Sequence, residues 1–544
     1  MLSNLLNYKL KESTTNWLVW IIVVMVALVP AFFTLPYRDN IYLSWEGAYR
    51  LYLGQVPFKD FGLPMGYGYW ILPAAFFKVF GPYLHTLVKA QVFINITSGI
   101  AFGSILNSLQ VKSGVRLLSV FLYVISFSFL NFWPWYNHTV IVYEFIGITF
   151  LLSGFNKPKT LQRYLFTLLG ALFLFLSFFT KQDGGAFAIM SGFILVGYWC
   201  LLHRDFKTIF IFCAGLAVVG AIFIGPLLPY DFSYWFNYGQ SPHNSRVSLS
   251  DITNEVFGAS LFLKLYVLLI GIIILHKFKQ FNAFLKDEKS MLFLLLTLLV
   301  LFQAFILQVT SYVPRDGNIY FHSFALAYIL TNLPFPINFS KIKYLIVTSV
   351  LLIFWWSGPY WKYANRIFKS SKPSDQANTA NRVGISSFTI NRDTTAIDVS
   401  KWIPGQQREF HKIKMPESAV KAIYEIEKNP LFKDDSRPKV LNMTEYTPLA
   451  SVLGYELEKG LPLWYHLNVA MFDKELQFFE DRINDKYYDM ILFEVIPDLN
   501  NFYPFRIRDA LQENYQRVDV FQAPRDKTYE IVEVYVKNQV QRVE

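Results

Sequence analysis

The sequence predicts a polytopic α-helical membrane protein, with about 11 transmembrane helices, followed by a soluble α/β domain at the C-terminus. Three observations carry this. Only 17% of the 544 residues are charged, while 53% are hydrophobic and 53 are Phe; soluble domains carry about 25% charged residues. Apolar runs of roughly 20 residues, enough to cross a hydrocarbon core of about 30 Å, recur through the first two-thirds of the chain. After Trp361 the composition turns abruptly polar.

The runs are read at 17–35, 84–108, 115–132, 138–154, 162–180, 184–202, 208–228, 259–276, 290–309, 321–338 and 343–359. The first is long and no small-residue cleavage site precedes PYRDN, so it reads as a signal anchor. The stretch 67–80 is short and interrupted by proline, which suits an interfacial or re-entrant helix. Lys and Arg concentrate in KLKEST, QVKSGVR, NKPKTLQR, HRDFK, HKFKQFNAFLKDEK and SKIK, on alternate connections. This positive-inside bias puts the N-terminus in the cytoplasm and the C-terminal domain outside. The net charge of +10 thus reflects membrane topology, and nucleic-acid binding is not expected.

The chain divides into a membrane domain (1–362, with a first outer loop at 36–83), a polar linker (363–400) and an extracytoplasmic α/β domain (401–544). In the last, VKAIYEIEKN and MFDKELQFFEDRIN show helical spacing, whereas KVLNMTEY, YDMILFEVI, QRVDVFQA and TYEIVEVYV read as strands. It has no glycine-rich phosphate loop. The two cysteines, Cys200 and Cys213, lie in or beside apolar runs and read as packing residues. An outward domain without a disulfide framework points to a bacterial plasma (inner) membrane.

The residues able to do chemistry gather in the expected outer loops. The first loop holds Arg38, Asp39, Glu46, Arg50, Lys59, Asp60 and, after the Gly/Pro turn GLPMG, Tyr67. WPWYNHT brings His138; TKQDGG brings Lys181 and Asp183 with almost no room between two spans; SYVPRDGNIYFH brings Arg315, Asp316 and His322. Plainer roles compete for each. Aromatics can form an interfacial belt, Asp183 can cap a helix, Lys59 and Lys181 can snorkel, and His322 can pack. A carboxylate at a span end is costly to desolvate, however, and ionisable residues there tend to be functional.

Asp39, a helical aromatic segment, the phrase Gly54-Gln55-Val56-Pro57-Phe58-Lys59-Asp60-Phe61, the Pro64-Met65-Gly66 turn and a later Phe80-Gly81 together resemble the GT-C class of polytopic glycosyltransferases. More narrowly, they are similar to the bacterial protein-O-mannosyltransferase-like and aminoarabinose-transferase-like group. The resemblance implies an outer-face transfer from a polyprenyl-phosphate-linked sugar, with an acidic residue of the first loop as catalytic base. Asp39 matches that position and Asp60 the later acidic one. The family's usual Asp-Glu pair is Asp39-Asn40 here, and Asn137-His138 stands where another Asp is frequent. A divalent metal is therefore an option without the paired acids to recommend it.

The residues themselves fit such chemistry. A partly desolvated carboxylate can take the proton of an attacking hydroxyl, in an inverting transfer. A departing phosphate is steadied by cations such as Arg38, Lys59, Lys181 or Arg315, and a second carboxylate steadies an oxocarbenium-like centre. The acceptor would be a glycan, lipid or protein. The other readings are a transporter or flippase of lipid-linked glycan, which should place ionisable groups at mid-span, and a glycan polymerase or ligase.

Overall fold

The computed structural model describes residues 6–38, 41–240, 248–258, 261–277, 281–310, 319–335, 337–358, 360–361, 397, 399–433, 438–497, 502–525 and 527–537. Apolar composition without charge drives the long helices. These are α1 (Glu12–Leu28, continued by a 3-10 turn to Phe32), α4 (Leu84–Ser108), α5 (Ser113–Leu130), α6 (Tyr136–Phe155), α7 (Thr160–Thr180), α8 (Gln182–His203), α9 (Lys207–Ile224) and α12 (Glu288–Thr310). Between α1 and α4 lie two shorter helices, α2 (Ile41–Tyr52) and α3 (Gly68–Phe80). Among the described residues eight helices are long and apolar enough to cross a membrane, and α10 (Leu249–Gly258) with α11 (Leu261–Lys277), meeting at 76°, makes a ninth if taken as one span. The chain is a multi-pass membrane protein.

That count differs from the eleven expected. The runs 321–338 and 343–359 become α13 (His322–Thr331) and α14 (Ile342–Trp355), of 10 and 14 residues. At 1.5 Å per residue these reach only about 15 and 21 Å. The hydropathy of the window is high enough, but it is blind to helix ends. After α13 the Asn332 side chain donates back to the Tyr328 carbonyl at 2.8 Å, and Pro334 follows with no N–H to continue the ladder. The stretch expected to be an interfacial or re-entrant helix forms a short, partly buried helix, Gly68–Phe80.

The C-terminal region is α/β. Strands β5 (Val440–Met443), β7 (Met490–Val495), β9 (Ile531–Lys537) and β8 (Tyr515–Gln522) form one sheet in that order. Its β5–β7 pair is parallel and the others antiparallel. Helices α15 (Glu417–Glu427) and α16 (Asp473–Asn484) match the helical spacing. Helix α17 (Phe505–Asn514) was not anticipated, because Ile507 and Leu511 alone mark its buried face.

This region is joined to the bundle through backbone. Strand β1 (Leu35–Pro36), directly after the first span, pairs in parallel with β4 (Ile413–Met415), which also pairs with β3 (Ile403–Pro404). Strand β2 (Phe61–Gly62) pairs with β6 (Leu461–Pro462). One hydrophobic core runs from Leu35, Trp45 and Trp70 of the first loop through Phe410, Tyr446 and Leu492 of the C-terminal region. The C-terminal domain therefore sits at the end of the bundle where the first span ends, whatever the number of spans after it.

Candidate active site

The first loop is built by close packing. Helix α2 is buried over nearly its whole length. A Cβ on Gly47 would fall 2.0 Å from the Trp70 ring, so α2 and α3 touch as only glycine permits. The indoles of Trp70 and Trp45 donate to the carbonyls of Leu43 and Pro82, each at 2.8 Å. Arg50 and Glu46, one helical turn apart, form a buried ion pair at 2.8 Å. Arg50 also donates to the Glu458 carbonyl of the C-terminal domain at 2.7 Å. Glu46 and Arg50 thus fasten the loop.

Past α2 the chain turns at Gly54 and runs into the loop 56–62. Phe58 sits at φ +63° and its N–H donates to the Phe61 carbonyl at 2.6 Å. Asp60 closes this loop, its Oδ2 accepting from the Val56 N–H at 2.8 Å and its own N–H donating to the Val56 carbonyl at 2.8 Å. Its carbonyl accepts from Gly460 at 2.7 Å. Lys59 is exposed, with its Nζ 5.6 Å from the centre of the Tyr230 ring. Beside it lies a cavity of ≈ 100 Å³ bordered by Asp231, Tyr234, Tyr238 and Lys474. The turn 62–66 then passes so close to the end of α7 that a Cβ on Gly66 would lie 1.4 Å from the Phe179 carbonyl oxygen.

The α7–α8 connection meets the loop from the bundle side. Lys181 Nζ donates to Asp183 Oδ2 at 3.0 Å, and the same oxygen accepts from Thr310 at the end of α12 at 2.8 Å. The Gly184 N–H donates to Asp183 Oδ1 at 2.7 Å; Asp183 lies inside the first turn of α8, whose N-cap residue is Lys181 without a side-chain cap, so it is not the N-cap expected. Burial lowers the Lys181 ammonium, and Asp183 raises it only in part. Lys181 Nζ lies 5.7 Å from the Tyr136 ring centre, and Tyr136 lies edge-on to Tyr69 at 5.8 Å. Tyr67 stands edge-on to Phe179 at 4.8 Å, and burial raises its phenol. Gln182 donates to the carbonyls of Pro64, at 3.4 Å, and Trp235.

Lys59, Asp60, Tyr67, Lys181 and Asp183 thus belong to one connected structure at the C-terminal-domain end of the bundle. His138 packs near it, its ring 6.0 Å from Phe127 and 6.4 Å from Tyr320. His322 stands apart from that structure. It is buried in the bundle with Nδ1 3.2 Å from the Tyr266 hydroxyl, which accepts from the Trp356 indole at 2.7 Å. That is a packing environment. Asp39, Arg315 and Asp316 lie outside the described residues, while Arg38 is exposed. Both flanks of residue 39 are nonetheless held. The Tyr37 hydroxyl donates to the Glu445 carbonyl and its N–H to the Lys414 carbonyl at 2.9 Å, while Tyr42 is buried.

Two features escaped the sequence reading. Glu144 lies inside α6, fully buried, with Oε2 accepting from Gln303 of α12 at 2.8 Å. Its Oε1 has no partner among the described residues. A lone Glu in the apolar run IVYEFIG is visible in the sequence; its amide partner 159 positions away is not. The second is the buried pair of carboxylates Glu445 and Glu494, both bound by Arg525 at 2.7 and 2.6 Å. Among the described residues no group of three or more His, Cys, Asp or Glu could hold a metal ion.

No protein-family model and no curated protein matches the sequence. Solved structures do. ArnT from Cupriavidus metallidurans bound to undecaprenyl phosphate superimposes with a TM-score of 0.51 at 13% identity, over 96% of this chain and 98% of that one. Its apo state gives 0.51 at 12% identity over the same shares. The fold is the GT-C membrane fold. Coverage of nearly both whole chains places the first loop, the bundle and the C-terminal domain in one shared architecture with ArnT, beyond the N-terminal two-thirds that the sequence resemblance covered.

Proposed function

We propose that the chain is a glycosyltransferase that moves a sugar from a polyprenyl-phosphate donor to a hydroxyl of a glycan, lipid or protein at the outer face of the plasma membrane. The observation that carries this is the end-to-end likeness to ArnT, solved with undecaprenyl phosphate bound. It is supported by the convergence of first loop, Lys181–Asp183 turn and C-terminal domain at one end of the bundle.

In this reading Asp39 takes the acceptor proton as the hydroxyl oxygen attacks the anomeric carbon. The C–O bond to phosphate breaks, the configuration inverts and polyprenyl phosphate departs. Lys181 and Lys59 are the cations assigned in this reading to stabilise the growing phosphate charge. Asp60 is engaged by the Val56 N–H, so its role is to hold the loop, and the base is assigned to Asp39. A metal is not needed for any of these steps.

The test is consumption of a radiolabelled polyprenyl-phosphate-sugar panel by purified protein, with Asp39→Asn and Asp60→Asn alongside. Asp39→Asn should lower transfer by about 10²–10⁴-fold, the usual worth of general acid–base catalysis; Asp60→Asn should cost less than about tenfold and show a lowered melting temperature. A dead Asp60→Asn beside an active Asp39→Asn would reverse the assignment. Glu144 inside the membrane favours one other reading, a flippase. That reading wins if no donor is consumed while labelled lipid-linked glycan crosses liposomes and Glu144→Gln stops it.

A further inference from the structure

The opposite end of the bundle carries a groove that the transfer reaction does not use. Its floor is Arg116, in the first turn of α5. This guanidinium is buried, and its two nearest partners are neutral: Nη1 donates to Asn107 Oδ1 and Nη2 to Asn16 Oδ1. Among the described residues its ionic neighbour is Glu12, at 3.8 Å, on a side chain 74% exposed. A buried cation held by two amides and one long contact to an exposed carboxylate is only partly compensated.

The amides also reveal a polarity. Arginine can only donate, so each Asn must turn its carbonyl oxygen toward it. Each then carries its NH2 donors on the other arm of the amide. Asn16 and Asn107 are exposed on the bundle surface, and together with Ser104 and Ser108 they line a cavity of ≈ 350 Å³ whose other wall is Trp20 and Val23 of α1. A second recess of ≈ 1040 Å³ shares Asn107 and Arg116 and adds Lys9, Lys11 and Lys112, with Glu12 as its acidic residue. The amino end of α5, which no side chain caps, borders it.

One end of this groove therefore offers donors and positive charge, and the other offers indole. Trp17 and Trp20 are 70% and 49% exposed and flank a further recess with Ser13 and Asn16. On a membrane helix that exposed surface faces lipid. The polarity is that of a phospholipid seen edge-on: anion at the helix ends, hydrocarbon along α1.

We infer that this groove is a binding site for one anionic glycerophospholipid, its phosphate held by Arg116, Lys11 and Lys112 and its acyl chain lying along Trp17 and Trp20. A zwitterionic lipid would bring its own cation against the same lysines and lose the advantage. Basic pockets between membrane helices recognise acidic head groups on this principle.

Native mass spectrometry of the full-length protein in detergent, titrated with phosphatidylglycerol or phosphatidylcholine, tests this. Wild type should show one tight phosphatidylglycerol adduct, weakened about tenfold by Arg116→Gln, with phosphatidylcholine unaffected. The double variant Lys11→Gln/Lys112→Gln alters exposed side chains only and should weaken the same adduct by a similar factor, which keeps the test valid if Arg116→Gln folds poorly. Equal affinity for both lipids, or a preference that survives the double variant, would overturn the site. Displacement of phosphatidylglycerol by equimolar glycerophosphate would also overturn it, because the ligand would then be a soluble phosphate.

Discussion

Arg525 and Arg116 are equally buried, each 5% exposed, at opposite ends of the molecule, and they are treated in opposite ways. Arg525 joins Glu445 and Glu494, both fully buried, in a charge-assisted network under the first loop. Arg116 has two amides and one carboxylate, that of Glu12 at 3.8 Å on an exposed side chain. At the C-terminal-domain end, where transfer is proposed, charges are neutralised by the protein's own groups and geometry is held from several sides. At the other end the charge is left to the surroundings. Rigidity is built where atoms must be positioned within fractions of an ångström, and the opposite face is left for the membrane to complete.

The widest gap between the two ends should appear on deleting each arginine. Arg525→Met strands two buried carboxylates and should cost about 3–5 kcal/mol, read as a large fall in melting temperature. Arg116→Met leaves only neutral amides able to reach water or lipid and should cost less than about 1.5 kcal/mol. Equal losses would break the comparison. Close packing should give the next effect. Gly66→Ala forces a methyl onto the Phe179 carbonyl and should cost about 1–3 kcal/mol, with donor turnover falling more than stability because the turn is displaced. An unchanged turnover would remove the 62–66 turn from the proposed site.

The smallest effect is a pH dependence in the C-terminal domain. The fully buried Glu533 accepts from Arg508, Arg517 and Tyr535, each at 2.8 Å. Burial pushes its carboxyl up, but these hydrogen bonds outweigh it and hold the group below the ordinary carboxylate range. Between its folded and unfolded values the unfolded chain binds more protons, so stability is full above about pH 4.3 and is lost as pH falls through the folded value. Glu533→Gln should flatten that part of a melting-temperature profile. A profile unchanged by the substitution would place the acid sensitivity elsewhere.

Much of this architecture is legible in the chain itself. Charge scarcity and apolar runs announce the bundle, because a backbone in hydrocarbon must satisfy its own hydrogen bonds. A short, nearly continuous apolar run such as YDMILFEVI marks an inner strand of the C-terminal sheet, and the Gly/Pro phrase at 54–66 marks the loop. The candidate residues Lys59, Asp60, Tyr67, Lys181 and Asp183 gather as their positions in neighbouring loops suggest. The lengths of α13 and α14 were misjudged because hydropathy averages over a window and helix termination is local. The packing alternative for His322 suits its Tyr266–Trp356 surroundings, which the sequence could not reveal because a histidine at a span end looks the same whether it faces a site or a Tyr–Trp pair.

Other features exist only once distant segments meet. The Asp60 carboxylate meets the Val56 N–H, and the union of β1 with β4 and β2 with β6 joins residues nearly 400 positions apart. Glu144 finds Gln303, and Arg116 finds Asn16 and Asn107, across helices that no local pattern aligns. The sequence by itself determined where backbone can be solvated by lipid and where by water, since that depends on composition over one helix length. The tertiary structure alone decided which charges are compensated, since that depends on partners far along the chain.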